Sequence, residues 1–386
     1  MKKIVLLGPA HPLRGGIASS SERLAQELQQ NGYEVVLYSF SLQYPSLLFP
    51  GKTQYTDDPP PEGLTIRPVL NSVWPFNWWK VGRALRREAA DLVLVRFWIP
   101  FMGPCLGTVL RMVRRNKSVK VICISDNIIP HEKRPFDRLF TRYFIRAVDA
   151  FIVMSKSVGE ELRQFSRTLP FRYVPHPVYD NYGAQASREE SLAQLQLPRE
   201  KNYLLYFGFI REYKGLDILL EALADPRLKN LPLHLLIAGE FYSDEARYRQ
   251  LIVDLGLEDR VSLYDRYIPQ SDVRYYFGAA DLVVQPYRSA TQSGISQLAY
   301  HFDKPMVVTN VGGLPEIVDH GQSGYVVEVS PKAVAEAILD YFSENRKSAF
   351  EEGVRKAKYR FSWANMVQTI EDLVVRLRKA TADKKS

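Results

Sequence analysis

Three short stretches set glycine beside basic or small polar residues where a strand-like run hands over to a helix. In LLGPAHPLRGGIASSSERLA the pair Gly15 and Gly16 occupies such a corner. Glycines there let the chain bend tightly and bring bare N–H groups close to an anion at the helix start. A plain turn capped by one of Ser19 to Ser21 accounts for the same letters, and the spacing is not the GxGxxG of dinucleotide binding. In YFGFIREYKG, Arg211 and Lys214 stand between Gly208 and Gly215, ahead of the helical LDILLEAL. A guanidinium fork and an ammonium held together suit a diphosphate; the plainer alternative is a solvated basic turn. In QPYRSATQSGISQLAYHFDKP, residues 285–305, the amides of Ser293, Gly294 and Ile295 sit at a helix start, with no acidic residue before Asp303. That is again an anion site or an ordinary serine cap.

A fourth corner, VICISDNIIPHEKRPFD, ends a strand with Asp126 and Asn127, followed by His131 and Glu132. A carboxylate or imidazole at that place orients a hydroxyl or accepts its proton. Asp126 abuts the strand end and is the better placed of the two; a lone loop histidine is usually structural. The sequence holds no His/Cys/Asp/Glu cluster with metal spacing, no Asp-x-Asp pair, no GxSxG elbow and no Walker loop. Metal-independent chemistry is therefore expected.

These corners need strands and helices to hold them. Short β-branched runs alternate with helical segments, from IVLLG and EVVLYSF through DLVLVRF, VKVICIS, DAFIVMS and RYVPH. The pattern lapses over residues 175–203 and begins afresh with YLLYFG, LHLLIAGE, VSLYDRYI, DLVVQPY, PMVVTN and GYVVEV. The expected fold class is α/β, two doubly wound Rossmann-like domains facing a central cleft, each binding at the carboxyl ends of its strands. The domains are expected at 1–178 and 179–361. A last helix in 362–386 carries Trp363, Met366, Val367, Ile370, Val374 and Leu377 on one stripe, and needs an apolar partner.

Composition bounds the partners. The 386 residues carry a formal net charge of +8, which favours nucleic acid, an anionic membrane surface or phosphorylated small molecules. No nucleic-acid module appears, and the basic residues follow a helical core pattern, so no nucleic-acid partner is expected. SVWPFNWWKVGRALRRE and RFWIPFMGPCLGTVLRMVRRNK mix aromatic and basic residues; this describes a membrane-interface surface or amphipathic core helices with snorkelling cations. Cys105 and Cys123 lie in apolar stretches and read as buried, reduced thiols. MKKIVLLGPAHP reads as a first strand rather than a signal peptide, and no run is long enough to span a bilayer. The expected location is cytoplasmic, with peripheral contact on the inner face of the membrane.

The chain resembles the GT-B fold glycosyltransferases, in particular the retaining family 4 group. The likeness runs through PLRGGIA, DNIIPHE, GFIREYKG, LLIAGE, the series LGLEDRVSLYDRYIPQSDVRYYFGAADLVVQPY, and VTNVGGLPEIVDHGQSGYVV. It implies that the second domain holds a nucleoside-diphosphate sugar as co-substrate, with no cofactor. Arg211 and Lys214 would stabilise the departing diphosphate, helped by Gly15, Gly16 and the amides of Ser293 to Ile295. Glu240 would join the donor site, and Arg266, Tyr267 and Ile268 would line the nucleobase. In the first domain, Asp126 would act at the reacting centre, with Asn127 and His131 on a glycan or lipid-linked acceptor. The implied enzyme is a retaining hexosyltransferase of cell-surface polysaccharide or glycolipid synthesis. Two departures stand out. Many members carry histidine where this chain has Asp126, and a pair of glutamates where it has Ala290 and Leu298. Thr291 and Gln297 remain to read the sugar by neutral hydrogen bonds. A sugar-nucleotide epimerase or a catalytically silent sugar-nucleotide-binding protein are the competing readings.

Overall fold

The computed structural model describes residues 1–45, 53–130, 134–242 and 244–382. It divides into two compact units, Met1–Pro177 with Ser362–Ser386, and Val178–Phe361. Unit 1 runs β1 (Lys3–Leu7), α1 (Gly16–Gln30), β2 (Glu34–Leu42), β3 (Thr65–Asn71), α2 (Pro75–Arg87), β4 (Leu92–Phe97), α3 (Gly103–Val113), β5 (Lys120–Ser125), α4 (Asp137–Ile145), β6 (Ala150–Val153), α5 (Lys156–Arg163) and β7 (Phe171–Tyr173). Among the described residues its sheet has seven strands in the order β3-β2-β1-β4-β5-β6-β7, paired in parallel.

A parallel sheet covered on both faces needs strands that are apolar on both sides. In β1, Val5 and Leu7 pack toward the helices α2 to α5, whereas Ile4 and Leu6 pack toward α1. The period of two along the strand thus feeds two separate cores. The last helix of the chain, α13 (Trp363–Ala382), closes the α1 side. Trp363, Met366, Val367, Ile370 and Val374 are buried in that core, with Leu377 partly buried beside them, so the apolar stripe meets its partner. Cys105 and Cys123 are buried free thiols.

Unit 2 runs α6 (Arg188–Gln194), β8 (Asn202–Phe207), α7 (Leu216–Leu223), β9 (Leu233–Ala238), α8 (Glu245–Asp254), β10 (Val261–Tyr264), α9 (Gln270–Ala279), β11 (Leu282–Gln285), α10 (Gly294–His301), β12 (Met306–Thr309), β13 (Gly324–Val327), α11 (Pro331–Ser343) and α12 (Lys347–Lys358). Its parallel sheet is ordered β10-β9-β8-β11-β12-β13. Tyr203, Leu205 and Phe207 face one core and Leu204 and Tyr206 the other. The order reverses direction at β8 and β11, so the loops leaving these two strands part company and leave a crevice at their carboxyl ends.

Strand β3 is absent from the sequence expectation. TIRPVLN contains Pro68 and a charged residue and is mostly exposed, so it lacks the apolar signature of a central strand, as befits an edge. Helix α5, KSVGEELR, also went unread; it is short, and Ser155 caps it through the Val158 amide.

Candidate donor site

The carboxyl ends of β8 and β11 bring two of the basic and glycine corners together. Gly208 leaves β8 at φ 94°, and a Cβ there would lie 3.1 Å from Ile295 Cδ1 and 3.4 Å from Lys214 Nζ. The lysine of one corner and the helix start of the other therefore share one small space. Gly215 follows at φ 67°, where a side chain would run into the Pro286 carbonyl. Backbone and side-chain bonds fasten this contact: Arg288 N donates to the Tyr213 carbonyl at 2.7 Å. The Arg288 guanidinium grips Asp217 at 2.8 and 2.7 Å. Burial alone would push Asp217 up, but the Arg288 bonds more than offset it and hold the carboxyl below its ordinary range.

Lys214 is half-buried, and its ammonium lies 5.6 Å from the centroid of the Tyr287 ring. Among the described residues no carboxylate and no hydrogen-bond acceptor is paired with it. Burial, with the neighbouring Arg211 charge adding to it, pulls its pKa down to about 7. A half-buried cation without a counter-ion is poised to receive an anion. Arg211 lies over Tyr242 at 5.2 Å, and that ring in turn stacks on Phe209 at 4.4 Å. Its fork is thus braced by an aromatic ledge beside the ammonium.

Helix α10 begins at Gly294 with Ser293 in the cap position. No side chain caps it among the described residues, and its first turn holds no acid. The serine-cap alternative does not describe this corner; its first amides depend on something else. A Cβ on Gly294 would strike the buried Tyr179 ring at 2.8 Å, so glycine lets the helix start settle on that ring. Ser293 and Thr291 are buried beside it.

Glu240 and the loop after β10 lie on the same edge. Glu240 is buried, and its carbonyl accepts from Ile210 N at 2.8 Å. Gly239 donates to the Tyr264 carbonyl at 3.0 Å, which ties the loops leaving β9 and β10 together. Ile268 is buried in the core, with Tyr267 partly exposed ahead of it. Gln297, by contrast, is fully enclosed on α10, and neither Oε1 nor Nε2 finds a partner among the described residues. Ala290 and Leu298 are buried in the adjoining core.

In unit 1, Gly15 caps α1 at φ 110° and Gly16 opens the helix, while Ser19, Ser20 and Ser21 lie buried inside it rather than at its cap. Asp126 is held in a buried ion pair: Arg96 Nη2 reaches its two oxygens at 2.7 and 2.9 Å. Arg96 passes beneath Gly8, where a Cβ would meet its Cγ at 2.8 Å, and approaches Ser20 Oγ at 3.4 Å. Arginine therefore links the first, fourth and fifth strand ends, and Asp126 is its counter-ion. Arg96 was not singled out from the sequence; the signal was a lone cation in the otherwise apolar strand LVLVRF. Burial, with the Arg96 charge assisting against the Pro177 carbonyl bond, also lowers the nearby His176 to about 4. Asn127 reaches the Trp98 carbonyl at 3.4 Å. His131 lies outside the described residues. Among those residues no three His, Cys, Asp or Glu side chains converge as metal ligands, and no helix is long and apolar enough to cross a membrane.

The Glycosyltransferase Family 4 model matches residues 14–181, and the Glycosyl transferases group 1 model matches residues 187–357. The D-inositol 3-phosphate glycosyltransferase of Thermobifida fusca is 30% identical over 347 residues, covering 81% of this chain and 77% of the relative. D-inositol 3-phosphate glycosyltransferase 1 of Catenulispora acidiphila is 29% identical over 302 residues, 72% of this chain and 71% of the relative. The chain spans about half the length of several other curated relatives, such as spore coat protein SA of Bacillus subtilis, at 54%. Among solved structures, sucrose-phosphate synthase from Thermosynechococcus elongatus is similar in fold, with a TM-score of 0.74 at 19% identity over 98% of this chain and 100% of that one. Anabaena Alr3699/HepE in complex with UDP gives 0.73 at 17% identity over 97% and 100%. With both halves matched in order and a relative similar over most of its length, the chain belongs to the group 1, family 4 glycosyltransferases of the GT-B fold, and is a glycosyltransferase.

Proposed function

We propose that this chain moves a sugar from a nucleoside-diphosphate sugar to a hydroxyl of a glycan or lipid-linked acceptor, with retention at the anomeric carbon and without a metal ion. Cell-surface polysaccharide or glycolipid synthesis is the setting this chemistry suits. The observation that carries the reading is Lys214, an ammonium without a counter-ion set between Gly208 and the uncapped start of α10. As the bond from the anomeric carbon to the diphosphate breaks, negative charge gathers on the departing oxygen. Lys214, Arg211 and the amides of Ser293 to Ile295 are preorganised to meet it, and groups fixed in this way favour the transition state over the ground state. The departing phosphate oxygen then takes the proton of the attacking hydroxyl on the same face. That route needs no strong protein base, which agrees with an Asp126 already engaged by Arg96. Asp126 then acts by fixing the strand ends of unit 1, and Asn127 and His131 belong to the acceptor side.

Anabaena Alr3699/HepE has been solved with UDP and with UDP-glucose, which makes UDP-sugars the first donors to try. The second reading is a silent sugar-nucleotide-binding protein, favoured by the apolar Ala290 and Leu298 where many members carry glutamates. Incubation with a panel of nucleotide sugars separates these two readings from each other and from an epimerase. Slow release of nucleoside diphosphate that disappears in Arg211→Ala/Lys214→Ala supports the transferase. Conversion of one sugar nucleotide to another without release supports an epimerase, and binding alone supports the silent protein.

A further inference from the structure

On the α2-to-α5 side of unit 1, large apolar side chains stand in solvent. Phe76 is 78% exposed, Trp74 57% and Trp79 50% at the start of α2; Phe136 is 68% and Leu139 60% exposed at the start of α4. The two groups flank a single turn. The first turn of α3 touches the end of β3 through Cys105 Sγ, 4.0 Å from the Asn71 carbonyl. Its other side touches α4, where a Cβ on Gly103 would lie 3.2 Å from Phe140 Cβ. These helix starts follow the carboxyl ends of β3, β4 and β5, so the apolar residues form one fringe along that edge. Monomeric soluble proteins rarely leave such a fringe bare. Packing does not explain it, because the inward faces of α2 and α4 are already filled by Val81, Leu85, Phe144 and Ile145. Phe136 also holds a left-handed backbone, φ 70°, which an exposed phenylalanine adopts at a cost.

The charges around the fringe choose its partner. Helix α2 carries Lys80, Arg83, Arg86 and Arg87 and no acid, and α4 carries Arg138 and Arg142 against Asp137. The Arg83 guanidinium lies 4.1 Å from the Trp79 ring centroid, the cation and the aromatic surface side by side. Aromatic and aliphatic side chains with a basic rim match the acyl boundary and the headgroups of a phospholipid bilayer. We propose that this fringe docks unit 1 on an anionic phospholipid membrane. The docking presents the carboxyl edge of the unit 1 sheet to acceptors held in the bilayer. It does not depend on the donor chemistry, since vesicle binding is read without nucleotide.

The test is flotation of the full chain with vesicles of phosphatidylcholine, alone or with about one-third phosphatidylglycerol, at low and high salt. Wild type is expected to float with the anionic vesicles, more weakly as salt rises. The exposed pair Phe76→Ser/Phe136→Ser should reduce that binding about ten-fold or more, with an unchanged melting temperature and unchanged affinity for nucleoside diphosphate. An Arg83→Gln/Arg86→Gln variant should lose the preference for anionic lipid. Absence of binding at low salt, or equal binding by the Phe76/Phe136 variant, would overturn the proposal. Equal binding to neutral vesicles would overturn the role given to the basic rim. Self-association that the serine variant abolishes, without vesicle binding, would assign the fringe to a second copy of the chain and overturn the membrane.

Discussion

Replacement of Lys214 by methionine isolates the charge at the donor corner while keeping much of the side-chain volume. In the free protein the lysine is held at about 7 against an ordinary 10.5. At pH 8 a group of that pKa is about nine-tenths neutral, so binding an anion that needs the ammonium draws about 0.9 proton from solution. Affinity for a nucleoside diphosphate should therefore fall by up to about ten-fold per pH unit above pH 7. The stability of the free protein runs the other way. A lowered lysine pKa means that the unfolded chain binds the proton more tightly. The deficit is complete below pH 7, of the order of 3–5 kcal/mol, and is relieved as pH rises from 7 toward 10.5. Lys214→Met should thus melt higher than wild type at pH 6 in the absence of ligand, with the gap narrowing in alkali. The assay is calorimetric titration of nucleoside diphosphate at pH 8 in two buffers of different ionisation enthalpy. Proton uptake in wild type and none in Lys214→Met is expected. Equal uptake in both proteins, or none in either, would refute the assignment of the lysine to the diphosphate.

Three further outcomes follow from the same geometry. Asp126→Ala leaves Arg96 buried without its counter-ion and should cost about 3–5 kcal/mol in a denaturant melt; a loss of activity without a loss of stability would return Asp126 to a direct role in the reaction. Gln297→Leu removes two buried polar atoms without partners and should stabilise the fold by about 1–2 kcal/mol while leaving donor affinity unchanged; a weakened affinity would show that the amide turns to the ligand. Glu22 lies in unit 1, accepts from His11 N at 2.6 Å, and burial raises it to about 7 despite that bond. Its folded pKa exceeds the unfolded one, so stability falls as pH rises from 4.5 to 7. Glu22→Gln should flatten that slope and gain about 3 kcal/mol at pH 8, read from melts across the range.

The glycine and basic corners were legible as places in the fold because each rests on neighbouring letters. A glycine, a cation and the start of a helical period lie within a few residues of one another, and topology then sets β8 beside β11. The partners that hold the corners were not legible, because they come from far along the chain. Asp217 and Arg288 are 71 residues apart in sequence, Gly294 rests on Tyr179, and Arg96 reaches Asp126 across 30 residues. The role of the serines was also hidden. Ser19 to Ser21 look like caps by type, but Gly15, which can take a positive φ, starts the helix earlier and carries them inside. Edge strand β3 escaped for the opposite reason: its mostly exposed, proline-bearing segment fully buries Leu70 alone and so writes little apolar pattern into the sequence.

On the proposed function, the diphosphate of the donor sits at the β8 and β11 corner of unit 2. A crystal structure with nucleoside diphosphate bound tests it most directly. Phosphate oxygens are expected within hydrogen-bond reach of Lys214 Nζ and of the amides at the start of α10. A diphosphate bound elsewhere on unit 2, with Lys214 untouched, would contradict it.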